Sequence, residues 1–320
     1  MVFISKKIIL GKARYYLEKS IRLPNGKIKK FSIYLSNYIP NRPYENIKNC
    51  NGLLESKIIY ELTKIASKYY KKNHIFDEKL IKKLEDTKIG YKSIINKLSK
   101  KQLQDVIDRF TVNFTYESNA IEGNSLTLKD VTMVLHEKKA IKGKDLREIY
   151  ETFNTREVIE LVFNNKLKIN EKDIIKMHQI LVKNTGVSFG YKTIPNFLLG
   201  RNVQTTPPEK VADEMGKLID WYNKNKDIHP LERAAIFHGR FEKIHPFEDG
   251  NGRVGRIIVN IILLNHYYCP LIIRKTHRLS YFNALESFDN NHKDKLDRFF
   301  VERYKETYEK FFVIYLKYLK

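Results

Sequence analysis

From Leu53 onward apolar residues return at every third or fourth position: Ile58, Leu62, Ile65 and Ala66, then Leu80, Ile81 and Leu84, then Ile94, Ile95 and Leu98. That spacing lines up one face of an α-helix, whereas a strand would need alternation at every second residue. Beyond residue 100 the same test predicts helices over 101–122, 128–137, 145–164, 171–184, 208–225, 231–243, 251–267, 278–289 and 292–319. No sheet of any size fits there, so the fold is mainly α. The last helix carries an aromatic face at Phe299, Phe300, Tyr304, Tyr308, Phe311, Phe312 and Tyr315. This face is expected to pack on the core of its own chain or on a second copy, as a homodimer.

Two segments break the helical pattern. Residues 1–36 alternate as strands do, at Phe3-Ile4, Ile8-Ile9-Leu10, Tyr15-Tyr16-Leu17, Ile21-Arg22-Leu23 and Phe31 to Leu35, with breaks at Gly11-Lys12 and Pro24-Asn25-Gly26. They predict a small antiparallel meander, ended by Pro40 to Pro43. Gly186 to Thr206 mixes Gly190, Pro195 and Gly200 with Phe189, Ile194, Phe197, Leu198 and Leu199, which suits a β-hairpin or flap better than a helix. The expected organisation is a β unit at 1–40, a helical linker region at 41–100, a principal helical domain at 101–290 and a C-terminal helix at 291–320.

Composition excludes several classes. A chain of 320 residues with 42% hydrophobic residues, 20 Tyr and 18 Phe can bury a core and is not a disordered polymer. Two cysteines, Cys50 and Cys269, cannot build a disulfide scaffold or a four-thiolate zinc site. A reducing, cytoplasmic compartment is expected, since no signal-peptide core precedes Lys6-Lys7. The most apolar run, Ile257 to Leu264, is broken by Asn260 and falls far short of the roughly 20 residues that span a bilayer, so no membrane is expected as a partner. The net charge of +22 would attract polyanions. Lys is abundant together with Ile, Asn and Tyr, however, so a solvated basic surface outweighs a nucleic-acid face, and nucleic acid is only weakly supported as a partner.

The chemistry is concentrated in Phe241-Glu242-Lys243-Ile244-His245-Pro246-Phe247-Glu248-Asp249-Gly250-Asn251-Gly252-Arg253-Val254-Gly255-Arg256. Here a short loop delivers a glycine-rich turn into a helix N-terminus, where unpaired N–H groups and the positive dipole end attract an anion such as phosphate. Gly250 and Gly252 let the backbone approach that anion, and Asn251 adds a side-chain donor. Asp249 at the same mouth is useful beside phosphates only with a cation such as Mg²⁺ between them. Arg253 and Arg256 share one face and tilt back toward the N-terminus. Val254, Ile257, Ile258, Ile261 and Ile262 take the opposite, core-facing side. His245, held by Pro246, is the nearby group able to accept a proton near neutral pH.

From His245 to Arg256 the segment resembles, at every position, the signature of the Fic (Fido) family: His, Pro, Phe, any residue, an acid, Gly, Asn, Gly, Arg, two residues and Arg. The resemblance covers about residues 100–290 and implies a Fic-type helical bundle with a β-hairpin flap. It implies a protein adenylyltransferase that moves AMP from ATP to a Ser, Thr or Tyr hydroxyl of a protein substrate. His245 would be the general base and Asp249 the ligand of Mg²⁺ or Mn²⁺. Gly250, Asn251 and Gly252 would stabilise the α-phosphate, and Arg253 and Arg256 would hold the outer phosphates. Asn251-Gly252 argues against the Doc-like kinase branch, which has a lysine in place of that glycine.

Upstream, Ser118-Asn119-Ala120-Ile121-Glu122-Gly123-Asn124 reads as a helix stop, with a capping box at Thr127 to Asp130 opening the next helix. Glu122 sits at a helix C-terminus, where the dipole disfavours an acid, and so calls for a cationic partner. The segment resembles the Fic inhibitory motif through Ser118, Glu122 and Gly123, and the resemblance implies that Glu122 pairs with Arg256 and keeps the enzyme autoinhibited. Gly190, Tyr191 and Lys192 fall where Fic proteins dock their targets along the flap. Two rivals stand beside this reading: an AMP-removing or other nucleotide-handling enzyme, in which Glu122 orients a water, and a nucleic-acid-binding regulator on a Fic scaffold.

Overall fold

The computed structural model describes residues 2–23, 27–38, 43–137, 141–196 and 204–318. The chain divides into two compact units, Met1–Ile89 and Gly90–Lys320.

In the first unit β1 (Val2–Ile9), β2 (Lys12–Arg22) and β3 (Ile28–Ser36) form the antiparallel meander in that spatial order. Leu10 and Gly11, at φ 52° and 72°, make the turn between β1 and β2, as a tight hairpin of matching twist requires. The register sets Val2 opposite Lys19 and Arg22 opposite Ile28, with one irregularity between Tyr15 and Tyr16. Leu17 and Phe31 pack on Leu54 and Ile58 of α1 (Pro43–Tyr69). Glu18, also buried, is answered by Lys7 on β1 at 2.8 Å and Lys30 on β3 at 3.3 Å. The Pro24 to Gly26 turn and residues 40–42 lie outside the described residues. Helix α2 (Glu78–Lys97) runs on to the second unit.

The second unit is helical, as the periodicity predicts. It contains α3 (Lys100–Ile121), α4 (Leu128–Glu137), α5 (Leu146–Phe163), α6 (Glu171–Leu181), α7 (Val211–Lys224), α8 (Pro230–Ile244), α9 (Asn251–Asn265), α10 (Arg278–Asp289), α11 (Asp294–Thr307) and α12 (Val313–Tyr318). Local chemistry opens several of them: a capping box between Ser99 and Gln102 starts α3, Asp145 and Asn170 cap α5 and α6, and Pro230 is the first residue of α8.

Helix α9 departs from the expected two-sided pattern, because it is the centre of the unit. Apart from Gly252, every residue from Asn251 to Leu263 is buried, Arg253, Arg256 and Asn260 included. Asn260, which interrupts the apolar run, is satisfied by the backbone of Leu271: its Nδ2 donates to the carbonyl at 3.1 Å and its Oδ1 accepts the N–H at 2.8 Å. Helix α8 lies close against α9, and a Cβ on Gly255 would stand 2.8 Å from the His238 ring. The sequence predicts a single helix over 292–319, but one π-helical turn, Tyr308–Phe312, separates α11 from α12. The wider turn brings both Phe311 and Phe312 to Phe110, at ring-centroid separations of 6.0 and 6.2 Å. The aromatic face packs within its own chain, with Phe299, Phe300, Tyr304 and Phe312 buried.

The segment expected to form the flap has neither helix nor strand over residues 187–196, and 197–203 lie outside the described residues. No helix among the described residues is long and apolar enough to cross a membrane.

Candidate active site

Helix α8 stops at His245, which takes the left-handed conformation at φ 50° while its N–H still reaches the Phe241 carbonyl at 2.9 Å. Pro246 disfavours helical backbone at the residue before it, so the chain turns there. The loop that follows is braced from three directions. Both ends of the Asn251 amide are engaged by Phe247: Oδ1 accepts its N–H and Nδ2 donates to its carbonyl, each at 2.9 Å. The Asn196 side chain donates to the same carbonyl at 2.8 Å, and the Lys192 N–H donates to the Pro246 carbonyl at 2.9 Å. The His178 ring lies flat on Phe247, with centroids 3.9 Å apart and planes 2° from parallel.

His178 uses both ring nitrogens. Its Nδ1 accepts from the Gly190 N–H at 3.2 Å, which assigns the proton to Nε2, and Nε2 donates to the Asp249 carbonyl at 3.0 Å. Burial, reinforced by the Arg253 charge, outweighs that carbonyl and brings the His178 pKa down to about 4. The imidazole is therefore a neutral brace at physiological pH. Gly250 caps α9 at φ 81° with no side-chain hydrogen bond to the first turn, the arrangement that a helix N-terminus presents to an anion.

Two ion-pair systems converge on this N-terminus. Asp249 pairs with Arg147 and, at 3.3 Å, with Arg253; Arg253 also meets Glu151 at 3.1 Å. Burial works against the Asp249 charge, but Arg253, the Gly250 N–H and Arg147 overcome it and hold the carboxyl below its ordinary range. The second system is built on Arg256, whose Nε donates to Ser118 Oγ at 3.0 Å and whose NH2 donates to the Ser118 carbonyl at 2.8 Å. Its NH1 meets Glu122 Oε1 at 2.7 Å. Glu122 is the C-cap of α3, followed by Gly123 at φ 102°. Its carboxylate lies against the start of α9, so that a Cβ on Gly252 would stand 2.1 Å from Glu122 Oε1. Behind Arg256, Tyr281 and His238 are joined at 2.6 Å, and Glu242 lies 4.0 Å from His238.

The structure thus brings together His245, Asp249, Gly250, Asn251, Gly252, Arg253 and Arg256 with Ser118, Glu122 and Gly123, which lie far upstream in the chain. One N–H of the Asn251 amide is used inside the loop, on the Phe247 carbonyl, and so shapes the site. Lys192 differs from the expectation. It is 4% exposed, and its Nζ donates to Asn196 Oδ1 at 2.7 Å and Thr205 Oγ1 at 3.0 Å, because those groups supply the partners that its buried ammonium needs. Burial lowers its pKa to about 8. The Gly190 N–H is engaged by His178, and the Tyr191 hydroxyl donates to the exposed Glu171 at 3.0 Å. Sequence reasoning missed Arg147, Glu151, His178 and Asn196, and none of them belongs to a local motif that could have singled it out.

Residues 168–263, which carry both His178 and the whole His245 to Arg256 segment, match the Fic/DOC family model. These residues carry the similarity to the Fic/DOC family. The protein adenylyltransferase fic-1 of Caenorhabditis elegans is 31% identical over 180 residues, which are 54% of this chain and 35% of that protein. The protein adenylyltransferase Fic of Nematostella vectensis is 33% identical over 186 residues, 56% of this chain and 43% of that protein. The chain thus spans less than half the length of these curated relatives. Among solved structures, a Fic-domain-containing signalling protein from Bacteroides thetaiotaomicron superposes with a TM-score of 0.64 at 26% identity, over 72% of this chain and 94% of that one. The Fic-1 fragment from C. elegans superposes with a TM-score of 0.65 at 20% identity, over 87% and 93%, a likeness of fold. The Fic match leaves Ser118, Glu122 and Gly123 outside it, so their place beside Arg256 rests on geometry.

Proposed function

We propose that the protein transfers AMP from ATP to a hydroxyl side chain of a protein substrate, and that Glu122 holds it in a resting state. The observation that carries the reading is the juxtaposition of His245, the uncapped N-terminus of α9 and Arg256 within one braced loop and helix. His245 accepts the proton of the incoming hydroxyl. The freed oxygen bonds to the α-phosphorus as the bond to the bridging oxygen breaks, and pyrophosphate leaves. The N–H groups at the start of α9 answer the charge that builds on the α-phosphate. Arg253 and Arg256 bind the outer phosphates, which requires Arg256 to exchange the Glu122 carboxylate for phosphate oxygens. Occupation of Arg256 by Glu122 keeps ATP out of the reactive pose.

Asp249 is half-exposed and ionised, and it stands apart from any group of three His, Cys, Asp or Glu among the described residues. One carboxylate completed by phosphate and water oxygens is a donor set that suits Mg²⁺ or Mn²⁺. Such an ion would neutralise phosphate charge; Asp249 would hold it after loosening from Arg147 and Arg253.

The test is transfer of label from ATP carrying a radioactive α-phosphate. The Glu122→Gly variant is expected to label itself and added protein at least about tenfold faster than wild type, the factor that about 1.4 kcal/mol supplies. His245→Ala is expected to abolish labelling while leaving ATP affinity nearly unchanged, and excess chelator to abolish labelling. Equal labelling by wild type and Glu122→Gly would refute the resting-state role, and full labelling by His245→Ala would refute the base. If Glu122→Gly instead loses the ability to strip AMP from a modified protein, the AMP-removing reading takes precedence.

A further inference from the structure

A groove of about 880 Å³ lies between α7, α8 and α10, within the range of about 300–1,000 Å³ usual for ligand sites. Leu218, Trp221, Ile236 and Phe288 give it apolar walls, and its lining extends to Ile244, the residue before His245. Four cations also line it, and they fall into two kinds. Lys217 is neutralised by Asp213 at 2.7 Å and Glu214 at 2.8 Å, and Lys293 by Glu232 at 2.8 Å, with Asp297 3.4 Å away. The carboxylates Glu214 and Glu232, which also line the groove, are thereby engaged. Arg240 and Lys243 remain. The Arg240 guanidinium stands 4.5 Å from the Trp221 ring centroid, with no carboxylate or carbonyl partner among the described residues. Lys243 Nζ donates to the Asp289 carbonyl at 3.3 Å and meets no carboxylate among the described residues. Burial pulls the Arg240 pKa down and no neighbouring acid opposes it.

We propose that this groove docks an acidic segment of the protein that receives AMP, with a carboxylate of that segment on Arg240 and Lys243 and an adjacent apolar side chain against Trp221. A guanidinium already oriented on an aromatic face loses little freedom when it binds a carboxylate. Two cations with no carboxylate partner among the described residues, set amid apolar walls, match a peptide that alternates acidic and apolar residues. The closely spaced phosphates of a nucleic acid would meet Glu214 and Glu232 and leave the walls unused. A segment seated here would be held next to the stretch that carries His245. Assignment of the partner as the acceptor of AMP rests on the transfer reading above; docking of an acidic segment does not.

Trp221 is the single tryptophan of the chain, so its fluorescence reports this groove directly. Wild-type protein would be titrated with a short synthetic peptide of alternating Glu and Leu, with its Gln–Leu and Lys–Leu counterparts, and with single-stranded oligothymidylate. A saturable change is expected with the Glu–Leu peptide alone, weakened by salt. It should weaken about tenfold in Arg240→Gln, the factor equivalent to about 1.4 kcal/mol, and an unchanged melting curve shows that the variant folds. In the Glu122→Gly background a threonine-bearing Glu–Leu peptide should accept AMP with a KM about tenfold higher when Arg240→Gln is added, while self-labelling stays the same. No saturable change, or an equal change with the Gln–Leu peptide, overturns the docking site. Tighter binding of oligothymidylate overturns the acidic-protein assignment. Arg240-dependent peptide binding without any AMP transfer to peptide or self keeps the docking site and sinks the transfer reading.

Discussion

Gly252→Ala should destabilise the chain more when Glu122 is present than when it is absent. In the native chain the added methyl carbon would stand 2.1 Å from Glu122 Oε1 and 2.9 Å from Arg256 NH1. Ordinary contact requires the carboxylate to retreat by more than about 1 Å, which breaks its 2.7 Å pair with Arg256. The pair joins a nearly buried guanidinium to a carboxylate that is 36% exposed. Its loss should therefore cost more than the roughly 0–1 kcal/mol of a surface pair and less than the 3–5 kcal/mol, approximately, of a buried charge stripped of its partner. Ser118 keeps two hydrogen bonds to Arg256, so a loss of about 1–3 kcal/mol is expected. Against it stands the gain of up to about 1 kcal/mol when Ala replaces Gly in a helix. The net effect is destabilisation with Glu122 in place and a smaller change in the Glu122→Gly background, where the NH1 end of Arg256, 2.9 Å away, still has to give against a helix gain of up to about 1 kcal/mol. Urea unfolding without nucleotide, followed by Trp221 fluorescence, reads the unit concerned, because the single tryptophan lies within it. The four-variant cycle cancels the direct effect of changing Glu122. If Gly252→Ala has the same effect in both backgrounds to within about 0.5 kcal/mol, Glu122 does not rest on Gly252 and the proposed blockade of Arg256 loses its geometry.

Two buried groups should give pH dependences of opposite sign. His178 stays neutral in the folded chain down to about pH 4 while an unfolded histidine binds its proton near 6.5, so the unfolded state takes up more protons between these values. Stability should fall by as much as about 3 kcal/mol as pH drops through that window, and urea midpoints should show a shallower slope in His178→Gln; parallel slopes would argue against the neutral brace. Asp297 is raised to about 7, by burial first and by Glu232 in addition, against the pull of Lys293. The folded state then holds the extra proton, so stability is lost as pH rises from about 4 to 7, and Asp297→Asn should gain more than about 1 kcal/mol over wild type at pH 8 and nothing at pH 4; equal melting curves at both pH values would contradict this. Asn251→Ala removes both hydrogen bonds to Phe247 and should cost about 1–3 kcal/mol, read as a lower melting temperature; no change would mean that the loop is braced without it.

Most of the helices were legible in the chain because a 3.6-residue period is a local property, set by which side chains must share a face. So was the segment from His245 to Arg256: a left-handed stop, a proline, two glycines and a helix start are consecutive, and their geometry follows from neighbouring residues. What α9 packs against was not local. Its sequence resembles that of a helix with one buried side, and only the ring of surrounding helices makes it central and buries Arg253 and Arg256 as well. The pairing of Glu122 with Arg256, residues 134 apart in the numbering, came into view through family resemblance and a misplaced charge at a helix end. Arg147 and Glu151, His178 under Phe247, and Arg240 on Trp221 carried no such sign. An arginine on a helix surface looks the same in sequence whether it faces water, a carboxylate or an indole. The crossing of two helices decides which, and that crossing is set by packing summed over the whole unit.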